Sequence, residues 1–317
     1  FQGVCWYRRH IASEPAWRGK KVSLLFEGAM QVADVWVNGK HALTHRGGYL
    51  PFSVDITDAL AAPDGAIVAV RLDNSDNPDI PPGKNHDQLD FSYFGGLYRD
   101  VKLVVTDSLH VTDAVAANRV AGGGIFVRTE SASSASAKIF AQADVMNEGG
   151  DEKNVSVRFT AFAPDGEKVI ETNLNFSAFA SGAERETNCA LMIAHPQLWQ
   201  PDHPWLYTLK TEILRGTKLA DAVSTRFGIR TLAYDDKLGF VLNGEPLTLR
   251  GANRHQDFPW LGNAVPDNAA YREIKRLKDA GFNFLRLAHY PQSPAVMDAC
   301  DELGLMVSVC TPGWQHF

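Results

Sequence analysis

Much of the chain alternates between apolar and polar residues with a period of two, the pattern of a half-buried β-strand. Val22, Leu24 and Phe26 occupy alternate positions near the start, and Val155, Val157 and Phe159 do so in the middle. Asn38-Gly39 follows an apolar run and supplies the positive φ angles of a tight hairpin turn. Short strands with turn residues between them, and almost no helical stretch, predict all-β sandwiches up to about residue 233.

This all-β region is divided by a break near residues 106–112. We therefore expect one sandwich over residues 1–108 and a second over residues 109–233. Length alone favours about two domains, or three small ones.

After residue 233 the pattern changes from strands alone to strands and helices in alternation. A hairpin signal, Leu242-Asn-Gly-Glu-Pro246, comes first. A helix capped by Asp267 then ends at Gly281, and a second helix begins at Ser293-Pro294 and ends at Gly304. Apolar runs at 284–287 and 305–309 predict buried strands beside these helices. The order predicts a parallel sheet with helical crossovers.

Such a unit opens either a (β/α)₈ barrel or a doubly wound sheet. No Gly-x-Gly-x-x-Gly follows a strand, which favours the barrel over a dinucleotide-binding fold. A barrel needs about 250 residues, whereas residues 234–317 provide three strands at most. Both ends of the chain also interrupt patterned segments, so we expect a fragment of a longer protein.

Composition excludes several classes of protein. The chain has 31 basic and 37 acidic residues and a formal charge of −6, without a basic block, so we expect no nucleic-acid partner. No apolar run is long enough to cross a membrane. The four cysteines form no Cys-x-x-Cys pair, which argues against a zinc site or a disulfide scaffold. The compartment and the oligomeric state are left open, a homo-oligomer included.

Two polar clusters stand where predicted barrel strands end, the edge that carries active sites in such barrels. They are Asn253-Arg-His-Gln-Asp257 and Arg286-Leu-Ala-His-Tyr290. Glycoside hydrolysis normally requires two carboxylates, and no Glu stands at a strand end within residues 234–317. These residues can therefore grip a polar substrate, but they form no complete catalytic set.

The sequence resembles glycoside hydrolase family 2, the β-galactosidase and β-glucuronidase group. Segments similar to that family occur in its order along nearly the whole chain: Trp36-Val-Asn-Gly39, His45-Arg-Gly-Gly-Tyr-Leu-Pro-Phe52, Phe94-Gly-Gly-Leu-Tyr-Arg-Asp-Val101, Leu198-Trp-Gln-Pro201, Phe227-Gly-Ile-Arg230, Arg250-Gly-Ala-Asn-Arg-His255 and His289-Tyr-Pro291. The resemblance implies a multidomain protein: a jelly-roll sugar-binding sandwich, an immunoglobulin-like sandwich and, from 234 to 317, the start of a (β/α)₈ TIM barrel.

The resemblance also implies roles for four residues. Asp90 matches a carboxylate that reaches substrate hydroxyls, and His255 and His289 match histidines that contact the sugar or stabilise its transition state. Arg286 matches an arginine beside the family's nucleophile. We expect the acid/base and nucleophile glutamates to lie beyond Phe317.

No metal or other cofactor is expected. The metal-dependent β-galactosidases of the family place a Glu and a His after the third barrel strand, a pair that Cys310-Thr-Pro-Gly-Trp-Gln315 does not supply. His316 alone is a weak ligand, and Trp314 could stack on a sugar ring or pack in the core.

These implications predict a retaining exo-β-glycosidase that acts on β-galactosides or oligosaccharides. Residues 1–317 alone are expected to be inactive. The segment Leu89-Asp-Phe-Ser-Tyr-Phe-Gly-Gly96 favours the galactosidase subgroup. β-Glucuronidase is the alternative within the family. A non-catalytic carbohydrate-binding β-sandwich protein is the rival from another class, and the two histidine clusters disfavour a purely structural module.

Overall fold

The computed structural model describes residues 1–62 and 64–312. Contacts divide the chain into two compact units. In the described part of the chain, one unit contains residues from 1–105, 251–300 and 306–312, and the other contains residues 106–250 and 301–305.

The first unit begins with a β-sandwich. Its strands are β1 (Val4–Ile11), β2 (Lys21–Phe26), β3 (Ala29–Met30), β4 (Val32–Val37), β5 (Lys40–Arg46), β6 (Phe52–Asp55), β7 (Ala66–Asp73), β8 (Gly96–Leu97) and β9 (Val101–Thr106), with a short helix α1 (Thr57–Leu60). One sheet has the order β1-β7-β4-β5, another has β6-β2-β9, and β3 pairs with β8.

The predicted alternation forms the core of this sandwich. Val22, Leu24 and Phe26 of β2 are buried against Val68 and Val70 of β7, whereas the residues between them are more exposed. Asn38 and Gly39 have φ of 48° and 78° and join β4 to β5, which confirms the predicted hairpin turn.

The second unit contains a larger β-sandwich and a small sheet. Its elements are β10 (Leu109–Val111), α2 (Ala114–Ala117), β11 (Ile125–Ala132), β12 (Ser136–Asn147), β13 (Glu152–Phe162), β14 (Lys168–Phe179), β15 (Glu184–Ala194), β16 (Tyr207–Arg215), β17 (Lys218–Phe227), β18 (Leu232–Asp235), β19 (Gly239–Leu242) and β20 (Glu245–Pro246). One layer is built around β12, which pairs with β10, β11 and β15; the facing layer has the order β14-β13-β16-β17. Ile139, Phe159, Leu191 and Ile213 are fully buried between them.

The strand–helix alternation predicted after residue 233 is present from residue 251. β21 (Gly251–Arg254), α3 (Asp267–Asp279), β22 (Phe284–Leu287), α4 (Pro294–Leu303) and β23 (Met306–Val309) follow one another, and the strands form a parallel sheet in the order β21-β22-β23. This order is the one expected for the opening of a TIM barrel.

The predicted N-cap of α3, the first helix after residue 233, is wrong. Pro266 occupies the N-cap position in an extended conformation, and Asp267 is the first helical residue, without a side-chain capping bond. Its carboxylate still lies in the first turn, where the helix dipole favours negative charge. Gly281 follows the helix at φ 89°, as expected for a residue that ends one.

Candidate active site

Two histidines meet at the carboxyl edge of the barrel strands. β21 and β22 are parallel, with Asn253 opposite Arg286 and Arg254 opposite Leu287. His255 directly follows β21, and His289 comes two residues after β22. Their ring centroids lie 5.2 Å apart, with the ring planes at 75°. The structure therefore brings together the two clusters that the sequence placed at successive strand ends.

The first sandwich contributes a carboxylate and an aromatic ring to the same place. Asp90 and Phe91 lie in the loop between a 3₁₀ turn (His86–Gln88) and β8. The Phe91 ring lies 5.4 Å from His255 and 5.6 Å from His289, measured between centroids. Asp90 is exposed, and its charge acts on both histidines. Both residues also line a cleft of about 890 Å³ on this sandwich.

Arg286 is the fourth predicted residue in this group. Its side chain projects from β22, where Nη1 donates to Asn253 Oδ1 at 3.5 Å. Its positive charge acts on both histidines. All four sequence-predicted residues therefore belong to one neighbourhood within the first unit.

Burial favours the neutral form of both histidines. Desolvation is the largest cause that lowers the pKa of His255 and of His289, and the charge of Arg286 lowers both further. Asp90 opposes this change at both rings, as does Asp257 at His255. A neutral imidazole can donate from one nitrogen and accept at the other, which suits it to bind sugar hydroxyls.

Tyr290 fixes the orientation of His255. Its hydroxyl lies 3.3 Å from His255 Nδ1 and accepts the main-chain N–H of Gln256 at 3.4 Å. Its buried ring stacks on Tyr49 of the first sandwich, with centroids 4.3 Å apart and planes within 2°. Burial raises the pKa of Tyr290 to about 12, so this phenol stays neutral at physiological pH.

An ion pair between buried Arg254 and partly exposed Glu273 supports the strand end before His255. Arg254 donates through Nε and Nη2 to the two carboxylate oxygens of Glu273 on α3, at 3.1 and 2.6 Å. Gln292 also bonds Arg254, and its Nε2 donates to the Arg254 carbonyl at 2.7 Å. The main chain that carries His255 is therefore held from both sides.

The arrangement offers neutral imidazoles, a carboxylate and a guanidinium around an exposed face, which can hold a polyhydroxylated ligand. Within residues 1–62 and 64–312 there is no group of three or more His, Cys, Asp or Glu that could hold a metal ion. Among the helices of that same part of the chain, none combines the length and apolarity needed to cross a bilayer. Trp314 and His316 lie outside the described residues.

No role was predicted for the residues that support the histidines. Gln256 and Tyr290 belong to the two polar clusters at the predicted strand ends, and Phe91 follows Asp90, so adjacency to the predicted residues was the available signal. No signal in the sequence pointed to the role of Tyr49, because this residue stacks on Tyr290, more than 200 positions away.

Three family models match the chain in succession. They are described as the sugar binding domain of glycosyl hydrolases family 2 (residues 1–107), glycosyl hydrolases family 2 (residues 119–230) and the TIM barrel domain of glycosyl hydrolases family 2 (residues 234–316). Together they cover nearly the whole sequence.

Named relatives agree with these matches. A β-galactosidase from Thermoanaerobacter pseudethanolicus is 34% identical across 100% of this chain, and a β-glucuronidase from Bacteroides fragilis is 32% identical across 96%. The chain spans 40% and 42% of the lengths of these two relatives. A solved structure of Bacteroides uniformis β-glucuronidase 2, covalently bound to cyclophellitol-6-carboxylate aziridine, matches 97% of this chain and 36% of its own with a TM-score of 0.88 and 30% identity. The chain belongs to glycosyl hydrolases family 2.

Proposed function

We propose that the complete protein is a retaining exo-β-glycosidase that hydrolyses terminal β-galactosides. The observation that carries this proposal is the meeting of Asp90 with His255, His289 and Arg286 at the carboxyl edge of the barrel strands. The relatives are β-galactosidases and β-glucuronidases, and this chain spans less than half of each, so the activity belongs to the proposal.

In the proposed complex, the four residues hold the terminal sugar. Asp90 accepts hydrogen bonds from its hydroxyls, and the neutral histidines bond others. These bonds strengthen as positive charge develops at the anomeric carbon. Arg286 lies beside the nucleophile and keeps that carboxylate ionised.

The chemical steps require two glutamates, which we place on barrel strands after β23. One protonates the glycosidic oxygen as that bond breaks, and the other attacks the anomeric carbon to form a covalent glycosyl-enzyme. The first carboxylate then deprotonates water, which attacks the same carbon and releases the sugar with its original configuration. The covalent inhibitor complex of the Bacteroides uniformis enzyme supports a covalent route. The domain division at 108 and 233 is part of the proposal.

The test uses the complete product of the gene that encodes this chain. We expect it to release nitrophenol from the aryl β-galactoside and not from the β-glucuronide, and NMR to show the β-anomer as first product. Turnover of the glucuronide alone would replace the galactosidase assignment, and an α-anomer would exclude retention. Binding of galactosides without turnover would favour the non-catalytic carbohydrate-binding protein.

A matched pair of variants tests the site itself. His289→Asn should lower kcat/KM about a hundredfold, because it removes an imidazole next to the reacting sugar. His195→Asn is the control, since His195 is exposed, lies in the second unit and has a φ of 46° that Asn tolerates. Equal activity of the two variants would remove His289 from the site.

A further inference from the structure

Arg99 bonds four separate segments of the first unit. It lies between β8 and β9, and its Nη1 donates to the carbonyls of Glu27 and Tyr49 at 3.3 and 3.2 Å. Its Nη2 donates to Gln256 Oε1 at 3.0 Å and to the Pro291 carbonyl at 2.7 Å. One guanidinium group therefore bonds the first sandwich and both barrel loops.

The two barrel contacts lie next to the site. Gln256 directly follows His255, and Pro291 is two residues after His289. Both are bonded by the same nitrogen, so their separation is limited by the reach of one NH₂ group. The Tyr49 carbonyl, bonded on the other side, belongs to the residue whose ring stacks on Tyr290.

We infer that Arg99 is a positioning residue, which sets the spacing of His255 and His289 by bonding the loops that follow them. This inference rests on the proposed glycosidase function. Arg99 acts through Gln256 and Pro291 and is not assigned a contact with substrate.

The chemistry of the contacts requires arginine at this position. The four acceptors are three main-chain carbonyls and one side-chain amide, all neutral oxygens that lie on different sides of the group. A planar guanidinium presents several donors in a fixed fork, whereas an ammonium is a compact point charge. The guanidinium also lies over the Tyr98 ring, 5.0 Å from its centroid.

The energetic setting agrees with a geometric role. Burial lowers the pKa of Arg99, which means that its charged form is desolvated here. Neutral acceptors compensate that cost less well than a carboxylate would. A residue kept at this expense is better explained by the geometry it imposes than by a gain in stability.

The test compares variants of the complete protein. Arg99→Met keeps the bulk of the side chain and removes every donor, and Arg99→Lys keeps the charge. We expect kcat to fall about a hundredfold in Arg99→Met with little change in KM. Arg99→Lys should reach less than about a tenth of the wild-type kcat. Arg71→Met is the control, because Arg71 bonds Asp34 and Asp73 within the same sandwich; its kcat should stay within about twofold.

A second substitution separates positioning from general stabilisation. Gln256→Leu removes one of the four hydrogen bonds of Arg99, and we expect it to lower kcat about tenfold. The double variant Arg99→Met with Gln256→Leu should have the same kcat as Arg99→Met alone, because both changes remove the same bond. Additive losses would overturn the role through Gln256. A folded Arg99→Met with wild-type kcat would overturn the inference outright. If Arg99→Met does not fold, Gln256→Leu decides by the same tenfold criterion.

The outcome also distinguishes this inference from the proposed function. A wild-type protein inactive on both aryl glycosides would refute the proposed function. The positioning role would then be judged from crystal structures of the wild type and Arg99→Lys. An unchanged separation of 5.2 Å between the His255 and His289 rings would overturn it.

Discussion

The hydroxyl of Tyr290 offers a substitution of a single atom whose effect can be worked out from the structure. Tyr290→Phe keeps the ring and its stacking on Tyr49, but it removes the partner of His255 Nδ1 and of the Gln256 N–H. Each of these hydrogen bonds is long, so each contributes at the lower end of the usual range, about 0.5 kcal/mol. The buried Gln256 N–H is left without this acceptor, which adds about 1 kcal/mol.

The total of about 2 kcal/mol corresponds to about thirtyfold if all of it appears in the transition state. We therefore expect kcat/KM of Tyr290→Phe to fall between about fivefold and thirtyfold. The assay is steady-state hydrolysis of the aryl β-galactoside by the complete protein, with a thermal melt on the same sample.

Tyr207→Phe is the matched control for this substitution. The Tyr207 hydroxyl also accepts a main-chain N–H, that of Gln197 at 2.9 Å, and the residue is equally buried in the second unit. It should lower the melting temperature comparably and leave kcat/KM unchanged. If both variants keep wild-type kcat/KM, Tyr290 does not orient His255 and the reasoning fails.

Three further predictions concern stability. Glu273→Gln removes the charged partner of buried Arg254 and should cost up to about 3 kcal/mol, seen as a lower melting temperature; an unchanged melt would show that the pair is not stabilising. Gly251→Ala should destabilise by about 1–3 kcal/mol, because a Cβ would lie 2.3 Å from the Phe284 carbonyl oxygen, and a normal melt would contradict this. The two site histidines have lowered pKa values in the folded state, so their contribution to stability is present above about pH 6.5 and is lost as the pH falls through their folded values. The melting temperature should therefore fall less steeply from pH 8 to pH 5 when both residues are Asn. Equal slopes for the two proteins would contradict this prediction.

Local patterns predicted the elements and the clusters that contain His255, Arg286 and His289, whereas Asp90 was predicted from the family resemblance alone. Alternation found β2 and β13, and the Asn38-Gly39 turn joined the expected strands. The two histidines were predicted together because consecutive parallel strands end at one edge, a rule that needs no knowledge of packing.

The support around those residues could not be predicted, because it depends on contacts between distant parts of the chain. Arg99 lies 157 and 192 residues from its two barrel partners. Its other two acceptors are the main-chain carbonyls of Glu27 and Tyr49. Every residue possesses such a carbonyl, so no residue type in the sequence indicates these contacts. The predicted N-cap of α3 was wrong for a local reason, because Pro266 occupies the position assigned to Asp267.

Asp90 and Phe91 reach the histidines from a domain that has its own fold and its own core. In a chimera of two family members, exchanging this sandwich would therefore exchange part of the proposed sugar-binding surface while the sequence of the barrel stays the same. Substrate preference could then diverge among relatives through one loop of an accessory domain, while the catalytic strands remain the same.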